Sequence, residues 1–350
     1  MSNASCAEGV APARRGAAGI IPLLGVLLVL SALGALTLGR YPVSLRDITD
    51  FRGARLHLLT LAPERDDLLR NVILEIRAPR VLAAALIGAA MSVAGASYQS
   101  VFRNPLASPA MLGAPGGASF GTALALLLGL GWAQVQAISF VFGLAAVALG
   151  VAVANAFGAA STITLILGGM ISGAFFTALL SILKYLADPF DQLPSIVYWL
   201  MGSLAGITLP QALIAMPAIL AGVAFLIALA QPMDALAMGE DEARSLGVPV
   251  AAVRYGSIAA ATLITALAVS LAGMIGWIGL FAPHLARILV GPRNLVLAPA
   301  AALIGAIFLI GADSLARSLG RAEIPIGIIT ELVGIPAFLL VLRRSRRGWS

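Results

Sequence analysis

The chain has 350 residues, of which 60% are hydrophobic and only 11% are charged, and its net charge is +6. A soluble domain needs far more polar surface, so lipid must surround most of the chain, and a water-soluble catalytic domain is excluded. Cys6 is the sole cysteine, which excludes a disulfide within one chain.

Apolar runs of about 18 residues or more are typical of membrane-spanning helices, since about 20 residues cross the hydrocarbon core. We predict one all-α integral membrane domain at 20–343, between tails at 1–19 and 344–350. The ten predicted transmembrane helices are roughly 20–38, 78–101, 113–131, 135–157, 162–186, 210–230, 253–275, 278–290, 295–315 and 325–342. The shorter run 194–207 predicts a re-entrant or interfacial helix.

The placement of basic residues predicts the orientation, because they favour the cytoplasmic side of a span. Arg14 and Arg15 precede the first span and arginines follow the last, so both tails are predicted to be cytoplasmic, as is the loop 231–252. The segment 39–77 then forms an external loop. Its mixed charges predict a folded segment, with a short amphipathic helix around 45–60 lying on the interface.

A weak internal repeat recurs at a spacing of 178 residues. It matches Ser92, Ala94, Gly95, Pro105 and Gly113 with Ser270, Ala272, Gly273, Pro283 and Gly291. Five spans separate the copies, so the two would be inverted in the membrane, as in many transporters. Chance matching in a chain rich in alanine and glycine is the competing explanation.

The chemistry of ATP hydrolysis is missing from the sequence. A GxxxxGK[ST] loop needs a lysine after glycine, and the sole lysine, Lys184, follows leucine. His57, His284 and Cys6 form no metal-ligand pattern, and no pair of intramembrane carboxylates indicates a proton relay. We therefore expect a transport protein that is not an enzyme and has no cofactor or metal. Either a separate subunit supplies the energy, or the chain is a passive channel.

Arginines mark the external ends of two predicted spans. Arg77 and Arg80 begin the second span, and Arg317 and Arg321 end the ninth. Interfacial snorkelling is the commoner fate of such side chains. Two sites with the same feature favour an outward ring that docks an acidic partner, since guanidinium groups pair bidentately with carboxylates.

The internal loop 233–250 contains the helical pattern EDEARSL between glycines. One interpretation is a solvated connector. The other is a short helix that offers Glu240, Asp241, Glu242 and Arg244 to another subunit.

Prolines interrupt the apolar pattern where polar residues meet it. Asn104, Pro105 and Pro109 cannot continue a helix, which predicts either a gate or a plain tight turn. His284 is predicted to be a hydrogen-bonded structural residue. Glu323 is predicted to cap the start of the last span, and Glu331 to be buried and hydrogen-bonded.

Several ordered motifs occur along the chain. They are R-x-P-R at 77–80, SxAGxxxQ at 92–99, RNPLAxP at 103–109, GxxGGAxxG at 113–121, ARSLGV at 243–248, PHxxR at 283–287, and AD-x₃-R followed by ExPxGI at 312–328. Together they resemble the FecCD family, the membrane permeases of type II ABC importers for ferric siderophores, haem and cobalamin. The likeness covers about 40–343.

The resemblance implies the cobalamin-importer-type permease fold and a homodimer in the bacterial inner membrane. It also implies a cytoplasmic ABC ATPase dimer that carries ATP and Mg, and a periplasmic binding protein. Arg77, Arg80 and Arg317 would receive the binding protein. The ATPase would contact residues 240–248, namely Glu240, Asp241, Glu242, Arg244, Ser245, Leu246 and Gly247 within them. The cytoplasmic gate would comprise Asn104, Pro105, Leu106, Thr162 and Ile163, although Ile163 departs from the small polar residue of the cobalamin branch.

The function implied is import by alternating access, driven by the partner ATPase. The cargo would be an iron chelate (siderophore or haem) or cobalamin. An oxyanion such as molybdate is the alternative within the same architecture, and a secondary porter or passive channel is the alternative outside it.

Overall fold

The computed structural model describes residues 13–58, 60–156, 161–320 and 322–346. Cys6 and Arg321 lie outside these ranges, as do most of the predicted N-terminal tail and residues 347–350 of the C-terminal tail. The described residues form helices joined by turns, without a β-strand among them. The all-α architecture is therefore confirmed.

In chain order the helices are α1 (Ala13–Thr37), α2 (Leu45–Arg55), α3 (Pro63–Arg70), α4 (Ala78–Val101), α5 (Ala114–Leu127), α6 (Trp132–Ala156), α7 (Thr162–Leu186), α8 (Gln192–Leu200), α9 (Leu209–Ala228), α10 (Ala230–Met238), α11 (Glu240–Ser245), α12 (Val250–Ala272), α13 (Ile278–Val290), α14 (Asn294–Ser318) and α15 (Ile326–Arg346). A π-helical turn (Asn71–Arg77) joins α3 to α4, and a 3-10 turn (Pro109–Leu112) precedes α5.

Ten apolar helices correspond to the ten predicted spans. Seven helices in the described ranges are long and apolar enough to cross a membrane, and α5, α13 and α15 contribute shorter apolar stretches. The predicted span 113–131 ends early, at Leu127, because Gly129 takes a left-handed φ of +67° just beyond it. The short run 194–207 is helical only in its first part, as α8 (Gln192–Leu200), and its predicted re-entrant or interfacial position stays a prediction.

The helix that contains α4 is the centre of the bundle. Its most apolar stretch is 83% buried, compared with 11% for that of α1. It packs against α14, α12, α13 and α9. Facing glycines allow this close approach: a methyl group on Gly88 would overlap the carbonyl of Gly305 in α14, and one on Gly95 would overlap Gly279 in α13.

The external segment 39–77 is folded. Asp47 N–H donates to Ser44 Oγ (3.1 Å) and Ser44 N–H donates to Asp47 Oδ2 (2.9 Å), a reciprocal cap that starts α2. A small apolar cluster lies beneath it, formed by Val43, Phe51, Leu69 and Ile73. The predicted helix around 45–60 is confirmed for 45–55. The helix of the second span begins at Pro63 and not at 78, because α3 continues through the π-helical turn into α4.

Two of the five residue pairs in the predicted repeat differ in their structural setting. Gly113 precedes α5, whereas its proposed match, Gly291, follows α13. Pro105 lies in a turn, whereas Pro283 lies inside α13. These two pairs therefore do not occupy equivalent places, whereas Ser92 and Ser270 are both buried inside long helices, α4 and α12. The inverted repeat itself stays a prediction.

Candidate functional site

Arg80 lies at the centre of a buried ion-pair network at the start of α4. Its Nη2 donates to Asp313 Oδ1 (2.8 Å) and its Nη1 donates to Glu323 Oε2 (2.9 Å). Asp313, on α14, also pairs with Arg317 Nε at 2.9 Å. Arg80, Asp313 and Arg317 are each at most 4% exposed. Because a buried charge is tolerated only when paired, this network holds α4, α14 and the segment before α15 together.

Arg77 and Arg317 hold the end of α1. Arg77 Nη1 donates to the Leu36 carbonyl (2.5 Å), and Arg317 Nη1 donates to the Leu38 carbonyl (3.1 Å). Arg77 Nη2 also donates to the carbonyl of Tyr41. The last carbonyls of a helix lack partners within it and favour cations, so these arginines cap α1.

The external arginines therefore do not form the outward ring expected from the sequence. All three described guanidinium groups turn into the protein, and Glu323, 31% exposed, is the most accessible member of the network. Asp313, four residues before Arg317, was the sequence signal for an internal partner. Docking of a binding protein on Arg77, Arg80 and Arg317 stays a prediction.

The predicted coupling residues form one compact surface. Gly239, with φ of +152°, turns the chain between α10 and α11. Ala243 is fully buried and anchors α11, while Glu240 forms a close ion pair with Arg254 of α12. Arg244 pairs with Asp241 at 3.0 Å on the exposed face of α11. The helix is thus fixed on one face and free on the other.

The free face of α11 combines charge with an apolar tip. Asp241, Glu242, Arg244 and Ser245 are exposed, and Leu246 is 64% exposed. Gly247, at φ of +76°, closes the helix. An exposed leucine ringed by charges is typical of a docking surface, with an apolar anchor and a polar rim.

The predicted gate residues lie in two exposed segments. In the turn after α4, Leu106 N–H donates to Asn104 Oδ1 (2.9 Å), a local turn that Pro105 favours, and Leu106 itself is exposed. Thr162 and Ile163 start α7, and Ile163 is 70% exposed. Within one protomer the chain after this turn contacts α7 further along. There Gly113 lies against Gly169 and Gly173, about two and about three helical turns beyond Thr162.

A cavity of about 350 Å³ lies where several helices are interrupted. Its walls include the turn at Ser108–Ala110, the end of α8, the link 274–277 and the start of α15. Glu331 lines it. The expectation for Glu331 is wrong: its side chain is exposed in the single protomer and makes no hydrogen bond to a described residue. A carboxylate so far along an apolar helix is costly against lipid, so it indicates a path or a partner.

The start of α15 is capped by backbone and not by Glu323. Ile326 N–H donates to the Gly202 carbonyl (3.0 Å), and Gly327 N–H donates to the Met201 carbonyl (3.1 Å). The short helix α8 therefore ends directly on the start of α15. The capping role predicted for Glu323 is wrong, because its carboxylate pairs with Arg80 instead.

His284 is a packing residue. It is buried in α13, with its ring 5.7 Å from that of Phe338 in a T-shaped arrangement. Neither ring nitrogen bonds to a described residue, so the predicted structural role fits but the predicted hydrogen bond does not.

The apolar bundle, its interrupted central helices and the exposed helix α11 define a multi-pass membrane transport subunit. The sequence profile of the FecCD transport family matches residues 26–344. The chain thus belongs to the FecCD transport family of ABC permeases.

Individual relatives agree with this assignment. The chain is 38% identical over 325 residues to the molybdate import system permease protein MolB of Haemophilus influenzae, covering 93% of this chain and 95% of that one. It is 38% identical over 276 residues to the vitamin B12 import system permease protein BtuC of Citrobacter koseri, covering 78% and 83%. A solved structure described as an inward-facing metal-chelate type ABC transporter matches at a TM-score of 0.83 and 36% identity, covering 93% and 99%.

Proposed function

We propose that the chain is the permease subunit of an ATP-driven importer in the inner membrane. It works as a homodimer with a cytoplasmic ABC ATPase dimer and a periplasmic binding protein, and it moves cargo inward by alternating access. The observation that carries this proposal is the free face of α11. An exposed leucine among charges, on an otherwise apolar chain whose sequence lacks a P-loop, is a surface for a subunit that supplies the energy.

Reconstitution tests this proposal against its rival. The permease, its ATPase and its binding protein are placed in proteoliposomes, and uptake of labelled cargo is measured with and without ATP. We expect uptake only when the ATPase and ATP are both present. Uptake that persists without the ATPase would identify a secondary porter or a passive channel.

For the cargo, we propose an iron chelate or cobalamin. The supporting feature is Glu331 in the 350 Å³ cavity, because a carboxylate accepts hydrogen bonds from hydroxyl or amide donors of a large chelate. Two unit charges of the same sign at 4 Å repel by about 1 kcal/mol in water and about 4 kcal/mol near a protein surface. A bare dianion would therefore meet a barrier there.

A molybdate-like oxyanion is the second candidate. The similarity to MolB extends over nearly the full length of both chains, whereas the similarity to BtuC covers 78% of this chain. Competition distinguishes the two: ferric siderophore, haem, cyanocobalamin and molybdate are each added unlabelled to the uptake assay. Inhibition by molybdate alone would replace the first candidate with the second.

A further inference from the structure

A chain of side-chain hydrogen bonds connects α10, which directly precedes α11, with the end of α4. It begins at Asp234 on α10, whose Oδ1 accepts from the backbone N–H of Asn294 (2.9 Å) and from Asn294 Nδ2 (2.7 Å). Asn294 is the first residue of α14 and is 2% exposed. Arg293, at the N-cap position, makes no side-chain cap, so a carboxylate from another helix caps α14.

The second bond reaches the helix before the gate turn. Asn294 Oδ1 accepts from Ser100 Oγ at 2.9 Å, and Ser100 is buried. The backbone carbonyls of Ser100 and of the residue before it bind the turn that follows α4. Arg103 N–H donates to the Ser100 carbonyl (3.3 Å), and Asn104 N–H donates to the Gln99 carbonyl (3.1 Å). The predicted gate residues 104–106 thus follow directly from a segment whose side chain is tied to α14.

At its other end the chain of bonds is joined to α11. Gly239 connects α10 to α11 directly, and its carbonyl accepts from Ala243 N–H at 3.0 Å. The fully buried Ala243 and the Glu240–Arg254 pair fix α11 against the body of the protein. A force on the free face of α11 therefore reaches α12 through the Glu240–Arg254 pair, and it reaches α10, which carries Asp234, through Gly239.

We propose that Asp234 is a positioning residue that transmits displacement of α11 to the gate turn 104–106 through Asn294 and Ser100. This rests on the proposed function, because it assumes that an ATPase moves α11. The bonds are short and Asn294 and Ser100 are buried, so water does not readily replace a partner that moves. The carboxylate of Asp234 accepts two bonds at once, which makes α10 and the start of α14 move as one unit.

The test measures the gate directly and needs no cargo. In a Cys6→Ser background, Leu106→Cys carries a spin label, and the distance between the labels of the two protomers is measured in the full complex with and without AMP-PNP. We expect Asp234→Ala and Asn294→Asp each to reduce the nucleotide-induced distance change at least threefold. Asn294→Asp acts by placing two carboxylates against each other.

The double exchange Asp234→Asn with Asn294→Asp restores an amide donor facing a carboxylate. We expect it to recover at least half of the distance change. Gln231→Ala, at an exposed position one turn earlier on α10, is the matched control and is expected to leave the change intact. A full distance change in both single variants overturns the proposal, as does a double exchange that remains as impaired as Asn294→Asp.

If a single variant does not assemble with the ATPase, Ser100→Ala takes its place. It removes the bond to Asn294 and, within α4, the contact of the same hydroxyl with the Ala96 carbonyl (3.1 Å), and it leaves the Asp234–Asn294 pair intact. We expect a loss of at least half of the distance change, and an unchanged response overturns the proposal. The spin-labelled protein without any further substitution is the reference. If its label distance does not change when AMP-PNP is added, the importer function itself is contradicted. That outcome is distinct from failure of Asp234 as the connecting residue.

Discussion

At the residue scale, the end of the bundle where α4 begins and α14 ends depends on Asp313. This carboxylate faces both Arg80 and Arg317, and all three side chains are buried. Removing its charge leaves two buried guanidinium groups with Glu323 as the one remaining carboxylate of the network. Breaking a buried pair in this way is far more harmful than losing an exposed one.

We predict that Asp313→Asn destabilises the protein by about 3–5 kcal/mol. The measurement is thermal unfolding in detergent, followed by loss of the monodisperse chromatographic peak. Asp50→Asn is the control, because Asp50 pairs with Arg46 on an exposed face at 3.7 Å, and such pairs contribute about 0–1 kcal/mol. Equal effects of the two substitutions would contradict a structural role for the network.

Asp47 gives the external segment a pH dependence. The backbone N–H of Ser44 and the side chain of Arg65 bind its carboxylate and lower its pKa from 3.8 to about 2. A lowered folded-state pKa means that the charged form stabilises α2 above about pH 4, and that this stabilisation is lost as the pH falls through 4 toward 2.

Hydrogen exchange of residues 45–55 measures this effect. We predict that protection, corrected for intrinsic exchange, falls between pH 4.5 and pH 2.5 in the wild-type protein. In Asp47→Asn the protection is already lower at pH 4.5 and changes little with pH. A wild-type segment whose protection is the same at both values would refute the assigned role of Asp47.

At the element scale, the contact between α4 and α14 depends on the absence of side chains. A methyl group on Gly305 would overlap both the Gly88 carbonyl and Ser92 Oγ. Gly311 lies on the same helix, but a methyl group there would meet nothing within 4 Å. The two positions therefore form a matched pair: both glycines lie in α14 and both are changed to alanine, but only Gly305 faces another helix closely.

We predict that Gly305→Ala destabilises the protein by about 1–3 kcal/mol through overpacking. Gly311→Ala should be neutral or stabilising by up to about 1 kcal/mol, because alanine favours a helix over glycine. Thermal unfolding of both variants in the same detergent is the measurement. Similar losses at both positions would show that helix packing is not the cause.

The free face of α11 also acts as an element. Leu246→Ala removes the apolar tip and should weaken binding of the ATPase about ten- to a hundredfold, since burying a leucine contributes about 1.5–3 kcal/mol. Leu45→Ala is the control, because Leu45 is equally exposed, at 69%, but belongs to the external segment. Affinity is measured by titrating purified ATPase onto the immobilised permease. Unchanged affinity in Leu246→Ala would remove α11 from the interface.

The sequence largely predicted the order of the helices. Helix length follows from the apolar runs, and the ends follow from residues such as Pro249, Gly273 and Ser161 that stop or cap a helix locally. The sequence did not predict where the helix of the second span begins. The charged helix α3 extends it outward, and its apolar contacts lie within the external segment and not in the membrane.

At the scale of the whole molecule, the proposed docking face is already occupied by the protein's own carboxylates. Glu323 is the partly exposed partner of Arg80, so an acidic group on a binding protein would compete with it. We predict that Glu323→Gln raises the affinity of the permease for its binding protein several-fold, because it frees one edge of Arg80. The affinity is measured in nanodiscs at two salt concentrations.

Glu64→Gln is the control for that measurement. It removes an exposed external carboxylate of the segment before α4 and changes the net charge by the same amount. An equal gain in both variants would indicate general electrostatic attraction. No gain in Glu323→Gln would mean that Arg80 serves only to hold the helices together.

The sequence by itself determined the membrane class, the ten apolar helices and the places where they are interrupted, because hydrophobic length, proline and glycine act over neighbouring residues. It also located α11, because a charged pattern between two glycines is local. Only the tertiary structure decided where the charged side chains point. Arg80 and Asp313 are 233 residues apart in the chain, and Ser100 and Asn294 are 194 apart. The packing of helices in three dimensions selects such partners. The local pattern offered only the four-residue spacing of Asp313 and Arg317, and it could not show that Arg80 turns inward.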